Sequence, residues 1–340
     1  MKISVALCTY NGQKYLREQL DSIAAQTLPP DELVVCDDRS TDRTPEILRE
    51  FSESSKFPVR IFTNDENLGS SKNFEKAISL CEGDVIFLSD QDDIWSKEKL
   101  GKMAAQFEKG PNVGLVFTNA RLADANLRPL GVRLWHFTFS RRDQKLFRSG
   151  KALDVLLKYN VVTGATMAFR SRFRPLVLPV KMATDLIHDG WISLMIAMVA
   201  DIKFISEPLV TYRQHSDQQL GLILPKLNVA ARERHDDFIE NRKLGLKRLG
   251  ELRELFQEDD IIQRLAKFTA GDPIDRETML AKIDESIRQV TFSLQHLEFR
   301  RALPSAHARR ILPIFMELVS GRYGKYSRGI QSAAVDLIRS

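Results

Sequence analysis

Three aspartates stand within four positions of the sequence FLSDQDDIW, residues 87–95. Asp90, Asp92 and Asp93 follow directly after the apolar run 85–88. Carboxylates this close repel one another, so the arrangement costs stability unless a cation lies among them or water surrounds them. Carboxylate oxygens suit Mg²⁺ or Mn²⁺. The spacing therefore leaves two interpretations open, a cation site or a solvated turn.

The elements that must position this cluster alternate along the first 90 residues. The apolar, β-rich runs ISVALC, ELVVCD, VRIFT and DVIFLS predict strands, and the amphipathic stretches 14–25, 42–51 and 70–80 predict helices. Such alternation is typical of a parallel α/β sheet. Loops after the carboxyl ends of parallel strands meet at one sheet edge, where ligands bind. The loops TYNG, DDRSTD and DQDD are therefore expected to share a crevice.

Composition limits what kind of protein this is. The 340 residues, 43% hydrophobic and 28% charged, indicate a globular chain with more than one domain. Cys8, Cys36 and Cys81 lie in or beside apolar runs without metal-ligand spacing, which favours reduced, buried thiols in a cytosolic protein. The N-terminal apolar run is too short for a signal peptide, and no window approaches the roughly 20 apolar residues of a membrane span. The expected location is cytoplasmic.

Beyond residue 220 the pattern changes. Stretches 229–256 and 278–299 have the periodicity of long charged amphipathic helices. We therefore predict a domain at 1–220 and a helical region at 221–340. Three roles remain open for the helical region: it associates with membrane, forms an oligomer, or packs on its own domain.

Positive charge is concentrated at the C-terminus. The whole chain has a formal charge of +5, whereas residues 299–340 carry eight Arg and Lys against Glu317 and Asp336, a charge of +6. The apolar run ILPIFMELV lies between these cations. This combination fits peripheral contact with the anionic inner face of the plasma membrane. A basic helix packed on the rest of the protein is the alternative.

Seven motifs together resemble a known family, the glycosyltransferases of family 2, which have the GT-A fold. They occur in the family's order over roughly residues 1–220, and they are ALCTYNG, VVCDDRSTD, NLGSSKNF, FLSDQDDIW, VTGATMAFR, HDGW and YRQH. The sequence is most similar to bacterial rhamnosyltransferase-like enzymes of polysaccharide assembly, which also carry something similar to SGRYGKYSRGIQS. The resemblance implies a Rossmann-like, mostly parallel sheet flanked by helices. It places the nucleotide-binding half at about 1–110 and the acceptor half at about 111–220.

The resemblance also implies an activity. An inverting, metal-dependent transferase would move a sugar from dTDP-rhamnose or a UDP-sugar to a saccharide or lipid-linked saccharide, in cell-surface polysaccharide or O-antigen biosynthesis. Mn²⁺ or Mg²⁺ would stabilise the departing diphosphate. Nucleic acid is not an expected partner, because acidic loops at the sheet edge would repel phosphate unless metal-loaded.

Each role is carried over by position in the motifs. The general base is Asp189. The metal ligands are Asp92 and His215. The nucleotide-binding residues are Thr9, Tyr10, Asn11, Asp37, Asp38, Asn67, Gly69, Asp90 and Arg213. The acceptor-side residues are Gly164, His188 and Trp191, with the Arg-rich stretch near Trp135. The chain departs from its look-alikes in reading YRQHSDQQLG where they continue with Gly and Asn after YRQH.

Plainer interpretations remain for several of these residues. DDRSTD suits helix capping, Tyr10 could be a core aromatic, Asp189 could cap the helix beginning near Trp191, and His215 could be a surface histidine. Two other activities also remain, a non-catalytic nucleotide-sugar-binding relative and a sugar nucleotidyltransferase. The latter usually opens with a Gly-rich, Arg-bearing loop, whereas this chain has TYNGQKYL.

Overall fold

A computed structural model describes residues 1–181, 186–216, 218, 231–268, 275–304, 306–327 and 329–338. The strands are β1 (Ile3–Thr9), β2 (Glu32–Asp37), β3 (Val59–Thr63), β4 (Val85–Ser89), β5 (Ile94–Trp95), β6 (Val113–Ala123), β7 (Pro129–Arg133), β8 (Met167–Arg170) and β9 (Asp201–Arg213). The helices up to residue 199 are α1 (Leu16–Ala24), α2 (Thr44–Ser54), α3 (Ser70–Leu80), α4 (Lys99–Lys109), α5 (Trp135–Thr138), α6 (Arg141–Arg148), α7 (Ala152–Leu156), α8 (Arg174–Val177) and α9 (His188–Val199). The later helices are α10 (Ala231–Leu255), α11 (Asp259–Ala266), α12 (Arg276–Arg301), α13 (His307–Val319), α14 (Arg322–Tyr326) and α15 (Ile330–Ile338).

One sheet organises the described N-terminal part of the chain. Its strand order is β3-β2-β1-β4-β8-β6-β9-β5, with β7 paired to β6. Strands β1 to β4 pair in parallel, β8 runs antiparallel to both β4 and β6, and β9 runs parallel to β6. The predicted α/β class with flanking helices and a C-terminal helical region is confirmed. Parallel pairing dominates its N-terminal half, and the second half is mixed.

The predicted strands lie where their apolar runs are. Every residue of β1, β2 and β4 is buried, as expected of strands covered on both faces. Helix α3 occupies the predicted range, whereas α1 and α2 each begin two residues later than predicted. The Tyr15 and Arg43 positions that precede them make no side-chain capping hydrogen bond.

The chain divides into two compact units. One consists of Met1–Ile223 with Glu258–Arg276, and the other of Leu224–Gln257 with Glu277–Ser340. The segment that contains α11 therefore belongs with the sheet. The predicted boundary near residue 220, like the start of the helix predicted from residue 229, lies outside the described residues.

Cys8, Cys36 and Cys81 are free and buried, as the sequence predicts. Burial raises the pKa of Cys36 to about 11 and that of Cys81 to about 12. Among the described residues, no helix is both long enough and apolar enough to cross a bilayer.

Candidate functional site

The three polar loops lie together at the carboxyl edge of the parallel strands. The backbone N–H of Tyr10 donates to Gln91 Oε1 at 2.9 Å, and Gln91 Nε2 donates to the Tyr10 carbonyl at 2.9 Å. On the other side, Asn11 N–H donates to Ser40 Oγ and Thr41 N–H donates to Asn11 Oδ1, both at 2.9 Å. The loop after β1 thus ties the other two loops to itself.

Gly12 lies against the side chain of Gln91. A Cβ atom there would lie 2.2 Å from Gln91 Oε1, so any larger residue would displace the end of the glutamine side chain. Its own N–H donates to Thr44 Oγ1 at 2.8 Å. The glycine of TYNG therefore leaves room for the glutamine of DQDD.

A cavity of about 330 Å³ opens where the loops meet. It is lined by Cys8, Thr9, Tyr10, Asp38, Ser70, Asn73, Phe74, Asp90, Gln91, Asp92, Thr163, Gly164, Ile187, His188, Asp189, Tyr212, His215 and Gln218. The predicted site residues among them are Thr9, Tyr10, Asp38, Asp90, Asp92, Gly164, His188, Asp189 and His215. Those predicted for the site but absent from the lining are Asn11, Asp37, Asn67, Gly69, Arg213 and Trp191.

Asp92 and His215 meet at one side of the cavity. His215 Nε2 lies 2.8 Å from Asp92 Oδ2. The His215 ring packs on Tyr15 with ring centroids 4.7 Å apart. Burial, reinforced by the negative charges of Asp92 and Asp189, raises the pKa of Asp90 to about 7. Two carboxylates and one imidazole thus face the same space.

The third aspartate of the cluster turns inward. Asp93 is fully buried, and its Oδ1 accepts a 3.1 Å hydrogen bond from the backbone N–H of Arg213. Burial, with Asp92 and Asp90 nearby, raises the pKa of Asp93 well above its usual value, which favours the neutral form. The crowding of FLSDQDDIW is therefore relieved partly by the burial of Asp93, which is neither of the two interpretations that the sequence left open.

Lys99 lies buried near these acids. Its Nζ donates to the Ala165 carbonyl at 2.7 Å and lies 3.4 Å from the centre of the Trp95 ring. Burial lowers the pKa of Lys99 well below its usual value, although Asp93 and Asp90 act in the opposite direction. The positive charge of Lys99 thus favours the ionised forms of Asp90 and Asp93, while burial of Lys99 disfavours that charge.

Arg213 braces the acidic loop and does not face the cavity. The side chain is 2% exposed, and its Nε and Nη1 donate to the carbonyls of Asp92 (2.7 Å) and Ala125 (2.8 Å). Nη2 pairs with Glu18, and the guanidinium lies 4.3 Å from the centre of the Tyr15 ring. This corrects the predicted contact between Arg213 and phosphate, because Arg213 is absent from the cavity lining and each of its three side-chain nitrogens already bonds to the protein.

The loop after β2 is organised by two carboxylates with different surroundings. Asp37 accepts from Thr9 Oγ1 at 2.7 Å and from Ser40 Oγ at 2.6 Å. Asp38 accepts from the backbone N–H groups of Leu68 and Gly69, at 2.8 and 2.9 Å. Asp37 therefore stabilises the loop after β2 through its own hydrogen bonds. Asp38 lines the cavity and positions the residues that precede α3.

Two further residues predicted for the site, Asn67 and Gly69, lie in the turn before α3. Gly69 has φ +77°, a backbone conformation that residues with a side chain rarely adopt. Asn67 Oδ1 accepts from the Gly69 N–H at 3.2 Å, and its Nδ2 donates to the Asp38 carbonyl at 3.4 Å. Asn67 and Gly69 position Asp38 and the helix start.

Asp189 lies in the first turn of α9 with its carboxylate at the cavity wall. Oδ2 accepts from the backbone N–H of Gly164 at 2.9 Å, and Oδ1 accepts from Asn160 Nδ2 at 3.0 Å and from the Gly190 N–H at 2.5 Å. These donors fix the orientation of the carboxylate, and Oδ2, which accepts a single hydrogen bond, keeps a lone pair for a further partner.

His188 lines the cavity beside Asp189. Its ring stacks on Phe74 with centroids 4.3 Å apart, and burial lowers its pKa, opposed by Asp189. Among the described residues its buried Nδ1 has no hydrogen-bond partner. A Cβ on Gly164 would lie 3.0 Å from His188 Nε2, so this glycine leaves room for the imidazole.

Two tryptophans predicted near the acceptor are core residues. Trp191 is fully buried, and its indole N–H donates to the Val177 carbonyl at 2.8 Å. Trp135 is 6% exposed and packs edge-on against Phe139 and Phe204. Neither offers a face to a saccharide, which corrects the predicted role of Trp191.

Sequence reasoning missed several lining residues. Gln91 lies inside the motif DQDD, and Tyr212 immediately precedes Arg213. Both residues therefore belong to motifs identified in the sequence, but neither was predicted to line the site. Burial and the nearby carboxylates raise the pKa of Tyr212 well above its usual value, which keeps its phenol as a hydrogen-bond donor. Ser70 and Asn73 also reach the cavity from α3.

The fit of a divalent cation depends on Asp92 and His215. Within the described ranges, no set of three or more His, Cys, Asp or Glu side chains is grouped as a metal site. Two protein ligands nevertheless suit an ion such as Mg²⁺, which commonly takes one or two protein ligands and completes its shell with phosphate oxygens and water. The arrangement therefore fits a cation that is shared with a bound diphosphate.

Comparisons with known proteins identify one family profile and several relatives. The sequence profile "Glycosyl transferase family 2" matches residues 4–172. An uncharacterized protein of Mycobacterium bovis is 28% identical over 222 residues, which are 63% of this chain and 59% of that protein. The abequosyltransferase RfbV of Salmonella typhimurium is 29% identical over 45% of this chain and 46% of its own length. This chain thus matches less than two thirds of the length of these relatives.

A third relative has also been solved as a structure. The poly(ribitol-phosphate) beta-N-acetylglucosaminyltransferase TarS of Staphylococcus aureus is 38% identical over 108 residues, 31% of this chain and 18% of that protein. The crystal structure of TarS 1–349 in complex with UDP-GlcNAc covers 98% of this chain and 90% of its own, with 18% identity and a TM-score of 0.49.

Proposed function

Because this chain belongs to glycosyl transferase family 2 through residues 4–172, we propose that it transfers a sugar from a nucleotide-diphosphate donor to a saccharide hydroxyl with inversion. The observation that carries the proposal is that one cavity is lined by Asp92 and His215, which lie 2.8 Å apart, and by the oriented carboxylate of Asp189. Sugar transfer needs both functions near one anomeric carbon, a place for the diphosphate and a base for the acceptor.

The nucleotide would lie between the loops after β1 and β2. The Tyr10 ring is 45% exposed and lines the cavity, so its face is available for stacking on a base. Asp38 lines the same wall and offers carboxylate oxygens to a base or ribose. A pyrimidine donor, dTDP-rhamnose or a UDP-sugar, is the proposed substrate.

Asp92 and His215 would hold Mn²⁺ or Mg²⁺ together with the diphosphate. The bound ion would supply positive charge where the leaving group gains negative charge. Asp90, whose pKa is raised to about 7, lies beside them and could bond to the ribose. Arg213 keeps the loop that carries Asp92 in place through the hydrogen bond to the Asp92 carbonyl.

Asp189 would act as the general base. It would accept the proton of the acceptor hydroxyl while that oxygen forms a bond to the anomeric carbon. The bond from that carbon to the diphosphate oxygen breaks on the opposite face, and the bonding electrons leave with the nucleoside diphosphate. Inversion follows from this in-line displacement, and Gly164, Asn160 and Gly190 hold the base still during it.

The acceptor is proposed to be a saccharide of cell-surface polysaccharide or O-antigen assembly, free or lipid-linked. Relatives whose names denote sugar transfer, one of them to poly(ribitol-phosphate), support an acceptor of this class. His188 and Gly164 lie beside Asp189 on the cavity wall, which is the place where the acceptor hydroxyl must approach.

Calorimetric titration tests the donor site. UDP, dTDP, GDP and ADP are each titrated with and without Mn²⁺ into the wild type, Asp92→Ala and Asp189→Asn, with exposed Asp65→Ala as control. We expect one pyrimidine diphosphate to bind only with Mn²⁺, to be lost in Asp92→Ala, and to be kept in Asp189→Asn and Asp65→Ala. Absence of binding to the wild type under every condition would overturn the proposal.

Turnover then separates an enzyme from a non-catalytic binding relative. With the matching nucleotide sugar, the wild type should slowly release nucleoside diphosphate to water. Asp189→Asn should lower this release by about a hundredfold, as is typical of removing a general base. Unchanged release in Asp189→Asn would remove Asp189 from the catalytic role.

A further inference from the structure

Helix α13 carries a row of large apolar side chains that face solvent. Their exposed fractions are 60, 69, 58, 62 and 69%, and the residues are Ile311, Leu312, Phe315, Met316 and Val319. With 3.6 residues per turn, these positions share one side of the helix. We call this row the α13 apolar face. Isolated exposed apolar residues are ordinary, but a contiguous row of them marks an interaction surface.

The orientation of α13 is fixed by its other side. Ile314 is 1% exposed and forms a small core with Tyr323 and Ala333. Arg310 is also buried, and its Nη1 donates to the Asp336 carbonyl at 3.1 Å. Turning the apolar face inward would break this core, so the face stays outward while the helix stays packed.

Both acidic residues of the segment 299–340 are turned away from the surface. Glu317 is 8% exposed and bonds to His296 Nδ1 at 2.9 Å and to Arg322 Nη1 at 2.7 Å. Asp336 is 2% exposed, and it accepts from Arg300 Nε at 2.5 Å and from the Tyr323 hydroxyl at 2.8 Å. Their negative charges are therefore paired within the fold and are not exposed to solvent.

Three cations of the same segment remain exposed, whereas Arg310 is buried and Arg300 and Arg322 pair with the two acids. Arg301, Arg309 and Lys325 are exposed, and the helical period places Arg309 at the edge of the α13 apolar face. Arg328 and Arg339, which the sequence analysis also counted, lie outside the described residues. Folding thus converts a segment of mixed charge into a surface that is apolar and positive.

We propose that the α13 apolar face docks on an anionic lipid surface. Apolar side chains would enter the boundary between headgroups and acyl chains, and the neighbouring cations would pair with lipid phosphates. Helix α13 has 13 residues, fewer than the roughly 20 that cross a bilayer, so it would lie in the plane of the interface. A second copy fits less well, because it would bring two positive surfaces together.

Tryptophan quenching tests the docking directly. The native tryptophans Trp95, Trp135 and Trp191 are 3, 6 and 0% exposed, so bromine atoms in the lipid should hardly reach them and their emission should be a constant background. In full-length Phe315→Trp, vesicles of phosphatidylglycerol and phosphatidylcholine that carry brominated acyl chains should quench the added emission. Phosphatidylcholine vesicles should not, and the wild type should change little. Absence of quenching with anionic vesicles would overturn the proposal.

Vesicle flotation supplies the matched comparison. Leu312→Ser/Phe315→Ser should reduce flotation with anionic vesicles by about tenfold or more, because each substitution removes a large apolar side chain from the interface. Phe292→Ser on α12, where Phe292 is 44% exposed, should leave flotation unchanged, and circular dichroism checks that all variants fold. Higher salt should weaken binding.

Other occupants of the face give different results. If the wild type is a dimer by light scattering, does not float, and becomes monomeric in Leu312→Ser/Phe315→Ser, a second copy covers the face and the lipid proposal fails. Equal flotation of this variant and the wild type would also overturn it. None of these measurements depends on sugar transfer, so the docking proposal and the proposed function can fail separately.

Discussion

The backbone N–H of Gly164 lies 2.9 Å from Asp189 Oδ2 and donates a hydrogen bond to it. This bond joins the short 3₁₀ turn before β8 to the first turn of α9. The missing side chain of Gly164 matters as much as its N–H, because a Cβ there would lie 3.0 Å from His188 Nε2 and 3.7 Å from Asp189 Oδ2. The orientation of the proposed base thus depends on a glycine.

Gly164→Ala should therefore lower kcat while leaving donor binding nearly unchanged. His188 is stacked on Phe74 and buried, so it cannot retreat freely from the new methyl group. The new contact requires a shift of only a few tenths of an ångström, so the expected loss of kcat is smaller than the about hundredfold effect of a 1 Å misplacement. Steady-state kinetics and calorimetry of nucleoside diphosphate binding measure the two effects.

Removing the imidazole provides the control for Gly164→Ala. In a His188→Ala background the added methyl group has space, so Gly164→Ala should cost less there than in the wild type, a coupling that a double-mutant cycle measures. If the two substitutions are simply additive, contact with His188 is not the cause. A large loss of donor binding would instead indicate a wider disturbance of the cavity.

The sequence predicted elements and loops well because these depend on local patterns. Apolar runs fixed the strands β1 to β4, and the connections of parallel strands bring their carboxyl-end loops together. The hydrogen bonds from Tyr10 to Gln91 and between Asn11 and Ser40 realise that expectation. The family resemblance supplied the role of Asp189, and that role remains a prediction.

The motifs predicted the direction of individual side chains less well. Tyr212 and Arg213 are consecutive in β9, so they point to opposite faces of the sheet: Tyr212 reaches the cavity and Arg213 does not. Asp189 and Trp191 are two residues apart in α9, about 200° around a helix. When Asp189 faces the cavity, Trp191 must face the core.

Asp93 shows a second limit. Three neighbouring aspartates look alike in sequence, yet Asp92 reaches the cavity while Asp93 is fully buried beneath it. That difference arises from β5, β9 and α4, which the sequence analysis did not place around the loop. The basis is largely tertiary, because the Arg213 N–H that bonds to Asp93 comes from a distant part of the chain.

Arg213→Lys should destabilise the protein and weaken donor binding together. Lysine keeps the charge, but it cannot reach the Asp92 and Ala125 carbonyls and Glu18 at once as the planar guanidinium does. Leaving a buried carbonyl without its donor costs about 1–3 kcal/mol, so we expect the free energy of unfolding to fall by about 2 kcal/mol. Urea denaturation and calorimetry measure the two effects.

Arg43→Lys is the matched comparison for Arg213→Lys. Arg43 forms an exposed pair with Glu46, and such pairs contribute little to stability. This variant should leave the free energy of unfolding nearly unchanged. If Arg213→Lys behaves in the same way, Arg213 does not brace the acidic loop.

His296 should make the C-terminal helices sensitive to acid. The side chain is fully buried, with Nδ1 2.9 Å from Glu317 Oε2 and Nε2 3.3 Å from Ser327 Oγ. Burial lowers the pKa of His296, although Glu317 acts in the opposite direction. In the unfolded chain a histidine takes up its proton near pH 6.5. As the pH falls through that value, the unfolded state binds more protons than the folded state, so stability decreases.

Denaturation at pH 7.5 and pH 5.5 tests this prediction. The wild type should lose more stability between these values than His296→Gln, whose amide can still donate to Glu317 but does not titrate. Buried His188 has its pKa lowered in the same direction and is present in both proteins, so the difference between them isolates His296. His307→Gln, at an exposed histidine of α13, should follow the wild type. Parallel losses in the wild type and His296→Gln would mean that His296 is protonated alike in the folded and unfolded states.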